Sequence, residues 1–132
     1  MRRTTDTIGL MRAIHVRGRL AAASDAAAIA VFAVVGLLSH HASPSAFARD
    51  ALPLLGGWFA AAFATRLYER PSVPRLLVTW AAGITAGVLV RALILGRTLD
   101  GRQAALLATS LVFTLLFVVV LRAAAATLAR RR

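Results

Sequence analysis

The segment Trp80-Ala-Ala-Gly83-Ile-Thr-Ala-Gly87-Val-Leu-Val-Arg91 gives the clearest indication of what kind of protein this is. It lies in an apolar run over residues 76–95, and a membrane-spanning helix needs about 20 mostly apolar residues. Gly83 and Gly87 form a GxxxG step, which lets a neighbouring helix approach closely. Arg91 follows on the same helical face, where an ionised group needs a partner or water. We therefore predict a membrane helix with one contact face, directed at the first helix or at a second subunit.

The composition of the whole chain also favours a membrane protein. Of its 132 residues, 59% are hydrophobic, and the mean hydropathy of +0.74 is too high for an ordinary soluble domain of this size. The chain has no cysteine, which excludes disulfides and thiolate metal sites. Its net charge is +11, and every one of its 16 basic side chains is an arginine. Because these arginines lie between apolar segments, we assign them to membrane topology and predict no nucleic-acid partner.

Four apolar segments follow one another along the chain, separated by short polar links. The sequence therefore predicts an all-α membrane protein, a bundle of four transmembrane helices with short loops. Ser24 is the expected N-cap of the first helix, and Pro53 is expected in the first turn of the second. The predicted helices cover about 24–39, 50–68, 75–95 and 103–128.

The two ends of the chain are basic. Residues 1–23 are predicted to be a basic cytoplasmic tail, in which Ile8, Met11 and Ile14 have the spacing of a short surface-lying helix. A mobile tail is an equal alternative. Residues 129–132 form a second basic tail. A cleaved signal peptide is disfavoured, because the small-residue motif at Ala46-Phe47-Ala48 lies far beyond the first apolar core.

The arginines predict the orientation of the four helices. With the amino terminus in the cytoplasm, twelve arginines lie on the cytoplasmic side and four, Arg49, Arg91, Arg97 and Arg102, lie on the other. Such a bias favours both termini in the cytoplasm. It also disfavours small exporters and fluoride channels that assemble with dual topology, since these need balanced charge. The arginine- and alanine-rich composition indicates a bacterium, so we predict a multi-pass protein of the bacterial plasma membrane.

Polar residues of different segments fall at the same predicted depth. At the outer side, His40, Asp50 and Arg91 form one candidate cluster. At the inner side, Asp25 and Arg122 form a candidate pair. A purely structural role is the favoured alternative, because a carboxylate near a helix N-terminus and an arginine near a helix end are both tolerated there.

The remaining motifs do not indicate catalysis. We find no nucleophile with its base, no paired carboxylates and no phosphate-binding loop, and we predict no cofactor and no metal. One subunit cannot supply a bis-histidine haem site from the adjacent His40 and His41. Trp58 lies deep in the second segment, so its indole N–H needs a partner within the bundle. The residues predicted to pack helices together are Phe32, Gly36, Gly57, Gly83 and Gly87.

Two functions remain open at this point, and a third, a membrane enzyme that acts on lipid, has the least support. The first is a non-enzymatic component that packs in the lipid bilayer with itself, as a homo-oligomer, or with a larger membrane complex. The GxxxG step favours it. The second is a transporter or permeation unit for a small solute, with His40, Asp50 and Arg91 at an outward vestibule.

The order and spacing of several residues resemble the uncharacterised prokaryotic membrane proteins grouped as domain of unknown function 3054. In the first helix the resemblance runs from Asp25 through Phe32 and Gly36 to His40. The second and third helices add the segments Ala51-Leu52-Pro53 and Gly57-Trp58, and Trp80 with Gly87 and Arg91. The resemblance covers about residues 25–122 and implies a four-helix membrane protein with no assigned activity.

Overall fold

The computed structural model describes residues 18–131, which form four α-helices and contain no strand. The all-helical prediction is therefore confirmed for this part of the chain. The predicted surface helix around Ile8, Met11 and Ile14 lies outside the described residues. The helices are α1 Gly18–Ser39, α2 Pro44–Thr65, α3 Val73–Ile94 and α4 Gly101–Arg130.

Three of these helices, α1, α3 and α4, are long and apolar enough to cross a membrane. The exterior of the helices also suits a membrane, because many large apolar side chains of the described helices point outward, among them Phe63 and Leu93. The interior, by contrast, contains fully buried polar residues, namely Asp25, Thr79, Ser110 and Thr114. A chain with an apolar exterior and polar groups inside suits a membrane better than water.

α1 begins earlier than the sequence predicts. The predicted N-cap, Ser24, is inside the helix, where its hydroxyl donates to the carbonyl oxygen of Ala21 at 2.8 Å. Alanine is the strongest helix former, so the run Ala21-Ala-Ala continues the helix towards the amino terminus. Asp25 is therefore in the third turn of α1, too far from Gly18 for the helix dipole to account for it.

α2 also starts earlier than predicted. Pro44 occupies its first turn, where the N–H that proline lacks would have no helical partner, and Pro53 lies in the middle of the helix. The placement of Pro53 in the first turn was wrong because Pro44 provides the better start. Asp50 consequently lies in the second turn of α2. The helix ends at Thr65, and the residue that caps it, Arg66, has a left-handed φ of 53°.

Side-chain caps mark the starts of the other two helices. Ser72 accepts a hydrogen bond from the backbone N–H of Arg75 at 3.3 Å and caps α3. Asp100 accepts from the backbone N–H groups of Arg102 and Gln103, at 3.0 and 3.1 Å, and caps α4. Both caps satisfy N–H groups that have no partner within the helix. These two helices start about two residues earlier than predicted, a normal uncertainty for a helix boundary.

The four helices contact one another in a ring, in which α1 packs on α2, α2 on α3, α3 on α4 and α4 on α1. Successive helices are antiparallel, so Gly18, Tyr68 and Arg122 meet at one end of the helices. We call this the Asp25 end, and the opposite one, with Asp50 and Arg91, the Asp50 end. The first and last described residues thus lie at the same end.

The closest helix contact joins α2 and α3. A methyl group added at Gly57 would overlap the carbonyl oxygen of Gly83 and lie 2.7 Å from the backbone nitrogen of Gly87. One added at Gly87 would lie 2.8 Å from Cα of Leu54. The GxxxG face is therefore covered by α2 of the same chain, which corrects the expectation that it contacts helix 1 or a second subunit.

The two predicted packing residues of α1 differ from each other. Phe32 is half-buried and packs against the hydrophobic core. Gly36 does not lie at a close helix contact, since an added methyl group would meet nothing within 4 Å. Gly36 therefore does not pack against another helix of the same chain, since a small residue permits a close contact but does not require one.

Candidate functional site

A buried carboxylate at the Asp25 end connects three parts of the chain. Asp25 of α1 is 0% exposed. Arg122 of α4 donates from Nε to its Oδ1 at 2.7 Å and from Nη2 to its Oδ2 at 2.6 Å. Parallel N–H···O bonds of this kind are the strongest geometry for an arginine and a carboxylate. The structure thus brings together the two residues of the predicted inner pair.

Two aromatic side chains extend this ion pair. The hydroxyl of Tyr68, in the link after α2, donates to Oδ2 of Asp25 at 2.8 Å. The same hydroxyl oxygen accepts from Nε1 of Trp58 at 2.9 Å, which supplies the partner that the buried indole requires. We call Asp25, Arg122, Tyr68 and Trp58 the buried cluster. Its donors come from α2, α4 and the α2–α3 link.

The environment of Tyr68 keeps its hydroxyl protonated. Burial raises the pKa of Tyr68 above its ordinary value of 10.0, and the negative charge of Asp25 raises it further. Both effects disfavour the phenolate, one by removing water and the other by repulsion. Tyr68 therefore remains a hydrogen-bond donor to Asp25 under all ordinary conditions.

The ionisation of Tyr68 can be measured directly, because it is the only tyrosine in the chain. We expect the ultraviolet absorbance of tyrosinate to appear well above pH 10 in the folded protein, and near pH 10 in the denatured protein. The pKa of Tyr68 is higher in the folded than in the unfolded protein. The contribution of protonated Tyr68 to the stability of the fold is therefore complete below pH 10 and is lost as the pH rises towards the folded pKa. Tyr68→Phe is the control and should abolish the absorbance change. A folded-state midpoint at pH 10 would contradict the geometry of the cluster.

The buried cluster is suited to holding helices together. Both carboxylate oxygens of Asp25 accept hydrogen bonds from charged or polar donors, and the guanidinium of Arg122 balances its charge. A buried charge is tolerated when it is paired and hydrogen-bonded in this way. Both oxygens are thus already hydrogen-bonded to the protein, which does not favour a role as a catalytic base.

The Asp50 end holds a second, more exposed ion pair. Nε of Arg91 donates to Oδ1 of Asp50 at 2.6 Å, and the two side chains are 21% and 38% exposed. His40 lies at the exposed end of α1, and its imidazole makes no hydrogen bond to any residue within 18–131. The structure thus brings together two members of the predicted outer cluster, whereas the third, His40, makes no hydrogen bond to either of them.

The described residues offer no obvious metal site. Within residues 18–131, no group of three or more histidine, aspartate or glutamate side chains is arranged to hold a metal ion.

The model for the family described as protein of unknown function (DUF3054) matches residues 22–125, which is more than half of the chain. The chain belongs to the DUF3054 family. The matched range includes every residue of the buried cluster in this DUF3054 protein and also the Asp50–Arg91 pair. No curated protein and no solved structure shows significant similarity to it.

Some polar contacts of this DUF3054 protein were not predicted from the sequence. The sequence predicted Tyr68 only as the last residue of the second helix and Trp80 as part of the third, both suited to the aromatic belt at the inner membrane surface. In the structure, Nε1 of Trp80 donates to the carbonyl oxygen of Leu111 at 2.9 Å, and the hydroxyls of Thr65 and Thr79 lie 2.7 Å apart. No periodicity signals such bonds, because each joins two helices whose pairing the sequence leaves open. The general need of a buried indole for an acceptor was the one available signal.

Proposed function

We propose that this protein is a non-enzymatic, multi-pass component of the bacterial plasma membrane. In this proposal all four helices cross the bilayer, and both termini are cytoplasmic. The observation that carries it is the inverted distribution of polarity, with large apolar side chains outside and the ion pair of Asp25 and Arg122 inside. Inside a bilayer such an ion pair must face another helix, and here it does.

The proposal includes α2 as a fourth span. Its outward side chains Leu52, Phe59 and Phe63 are apolar and exposed, as expected of a surface that faces lipid. Its polar residues Arg49 and Asp50 lie near its start, at the depth where α3 ends. Because Asp50 is paired with Arg91, the carboxylate of α2 is neutralised where the helix enters the membrane.

The orientation follows from the arginines. Among the described residues, the Asp25 end carries the basic residues of the α2–α3 link and of the carboxyl-terminal end of α4. Placing this end in the cytoplasm satisfies the preference of positive residues for that side. Arg49 and Arg97 remain at the opposite side, together with Arg102 and the paired Arg91.

Single cysteines test this topology, because the natural chain has none. Ser43→Cys and Thr98→Cys introduce thiols in the two links of the Asp50 end, and Ala129→Cys introduces one near the end of α4; all three positions are exposed. In intact cells, we expect a membrane-impermeant maleimide to label the first two and not the third. Permeabilised cells should label all three, which is the control. The reverse pattern would overturn the orientation. Labelling of Ser43→Cys and Thr98→Cys on opposite sides would show that one of the two helices between them, α2 or α3, does not cross the membrane.

The partner in the membrane is proposed to be a second copy or a larger complex. With the GxxxG face covered by α2, the small residues that remain outward line a groove of about 640 Å³ along α2 and α3. Gly56, Ala60 and Ala86 are among them, and small residues allow another helix to approach closely. In the same cysteine set, Ala60→Cys should cross-link two copies, whereas Leu116→Cys on the exposed face of α4 should not.

The alternative, a permeation unit, receives less support from the geometry. Two of its three proposed vestibule residues, Arg91 and Asp50, are already paired with each other, and His40 makes no hydrogen bond to either. Neither of the two cavities described for this protein is lined by His40, Asp50 or Arg91.

A further inference from the structure

A cleft of about 450 Å³ opens at the Asp25 end, between α4, α1 and the start of α3. Most of its lining is apolar, with Ala123 and Ala126 of α4 on one side and Val73 and Leu76 of α3 on the other. Its volume lies within the range of about 300–1,000 Å³ that is usual for a small-molecule site. The cleft can therefore hold an apolar chain along α4.

Two arginines stand out in this apolar lining. Arg122 and Arg130 are eight residues apart on α4, which separates their backbones by about 12 Å along the helix axis. No acidic residue is among the described residues that line the cleft. Any ligand with an apolar body and an anionic group would thus meet a complementary surface.

The two guanidinium groups differ in how much charge they can offer. Nε and Nη2 of Arg122 are bonded to Asp25, so its charge is balanced, while its Nη1 has no hydrogen bond to any residue within 18–131. Arg130 is exposed and forms no ion pair with a described residue. Arg122 is therefore suited to a neutral acceptor, such as an ester carbonyl, and Arg130 to a full negative charge.

We propose that this cleft binds an anionic phospholipid. One acyl chain lies along the alanine-lined wall of α4, the phosphate contacts Arg130, and Nη1 of Arg122 donates to an ester carbonyl oxygen. The inference rests on the proposed membrane embedding of the four helices. It adds a specific ligand and a specific place to that proposal.

The length of α4 favours a lipid over a soluble anion. Its 30 residues extend about 45 Å, which equals the thickness of a bilayer of about 40–45 Å with its headgroups. Arg130 then lies at the level of the phosphates, and Arg122 lies deeper, beside the glycerol esters and the first part of the acyl chains. A small soluble anion would make no favourable contact with the apolar walls of the cleft below Arg130.

The surrounding charge favours an anionic headgroup over a zwitterionic one. The described exposed residues at this end include Arg66 and Arg70, with Glu69 as the only exposed acid among residues 18–131 there. Clusters of basic residues beside membrane helices attract anionic lipids and respond weakly to neutral ones.

The test uses the full chain in nanodiscs made of equal amounts of dioleoyl phosphatidylglycerol and dioleoyl phosphatidylcholine. Native mass spectrometry then identifies the lipid retained after the protein is ejected. We expect phosphatidylglycerol to be retained in preference to phosphatidylcholine. Arg130→Gln should lower this retention about fivefold to tenfold, as expected for the loss of one basic contact. Arg131→Gln, with the same change of charge one residue away, should leave it within twofold of wild type.

A second matched pair tests the acyl-chain wall. Ala126→Leu fills the cleft and should lower retention, whereas Ala124→Leu, which does not line it, should have no effect. Circular dichroism and size-exclusion chromatography confirm that each variant is folded. Should Ala126→Leu fail to fold, the exposed pair Arg130→Gln and Arg131→Gln still decides the question.

Several results would overturn the proposal. They are equal retention of the two lipids, equal losses for Arg130→Gln and Arg131→Gln, and unchanged retention in a folded Ala126→Leu variant. Displacement of the lipid by inorganic phosphate would assign the cleft to a free anion instead. Because lipid in a nanodisc reaches both faces of the protein, retention does not depend on orientation, and a reversed cysteine-labelling pattern would refute the topology alone.

Discussion

Asp25→Asn is expected to lower the free energy of unfolding by about 3–5 kcal/mol, the usual cost of removing one partner from a buried ion pair. Asp25 is 0% exposed, and three hydrogen bonds converge on it. The asparagine would leave the guanidinium of Arg122 without its counter-charge. The measurement is the unfolding of purified protein in mixed micelles of mild detergent and sodium dodecyl sulfate, followed by tryptophan fluorescence.

The double variant Asp25→Asn/Arg122→Gln distinguishes the contribution of the ion pair to stability from that of the surrounding residues. Because it removes both charges, it should be more stable than Asp25→Asn alone, and the two single effects should not add. Asp100→Asn is the matched control, since asparagine caps a helix as well as aspartate does and the same unit of charge is removed. Additive losses in the double variant would show that the pair is not the source of the stabilisation.

Gly57→Ala is expected to destabilise the α2–α3 contact by about 1–3 kcal/mol or more, as overpacking does in a closely packed interior. The new methyl group would overlap the carbonyl oxygen of Gly83 and approach the backbone of Gly87. Neither obstacle is the end of a flexible side chain, so the two helices must move apart. The same micelle unfolding experiment measures the loss.

The adjacent glycine provides the control for this substitution. Gly56→Ala places a methyl group where nothing lies within 4 Å, and alanine is a better helix former than glycine by about 1 kcal/mol. It should therefore leave the protein as stable as wild type or more stable. Equal destabilisation by both variants would mean that flexibility of α2, and not the close approach of α3, explains the glycines.

The sequence predicted the helix content well because the length of each apolar run indicates whether that segment can form a membrane-spanning helix. It also placed Asp25 and Arg122 at one depth, and Asp50 and Arg91 at another, since antiparallel helices with short links return to the same level. The depth of a residue in the membrane does not determine which helices are neighbours in the bundle. The partner of Gly83 and Gly87 was therefore assigned to helix 1 or a second subunit, although α2 occupies that place.

The helix starts were predicted late for a related reason. The segments before Asp25 and before Asp50 contain polar or basic residues and were assigned to the tail and the first link. The structure continues both helices through them, because alanine and arginine are good helix formers and Pro44 is an effective first-turn residue. Apolarity indicates where a chain can meet lipid, and helix propensity indicates where it stays helical. In α1 and α2 the helix therefore starts before the apolar segment does.

The pairing of Asp50 with Arg91 also has a consequence for how the protein is made. A lone carboxylate or guanidinium costs about 2.5–3.5 kcal/mol at the centre of a membrane helix during insertion, and less near its end. In the proposed four-span topology, α2 emerges from the ribosome before Arg91 has been synthesised. The two charges are neutralised only when α3 folds back against α2, with Gly57 against Gly83. The hairpin of α2 and α3, more than either helix alone, is thus the unit that a translocon would release into the bilayer.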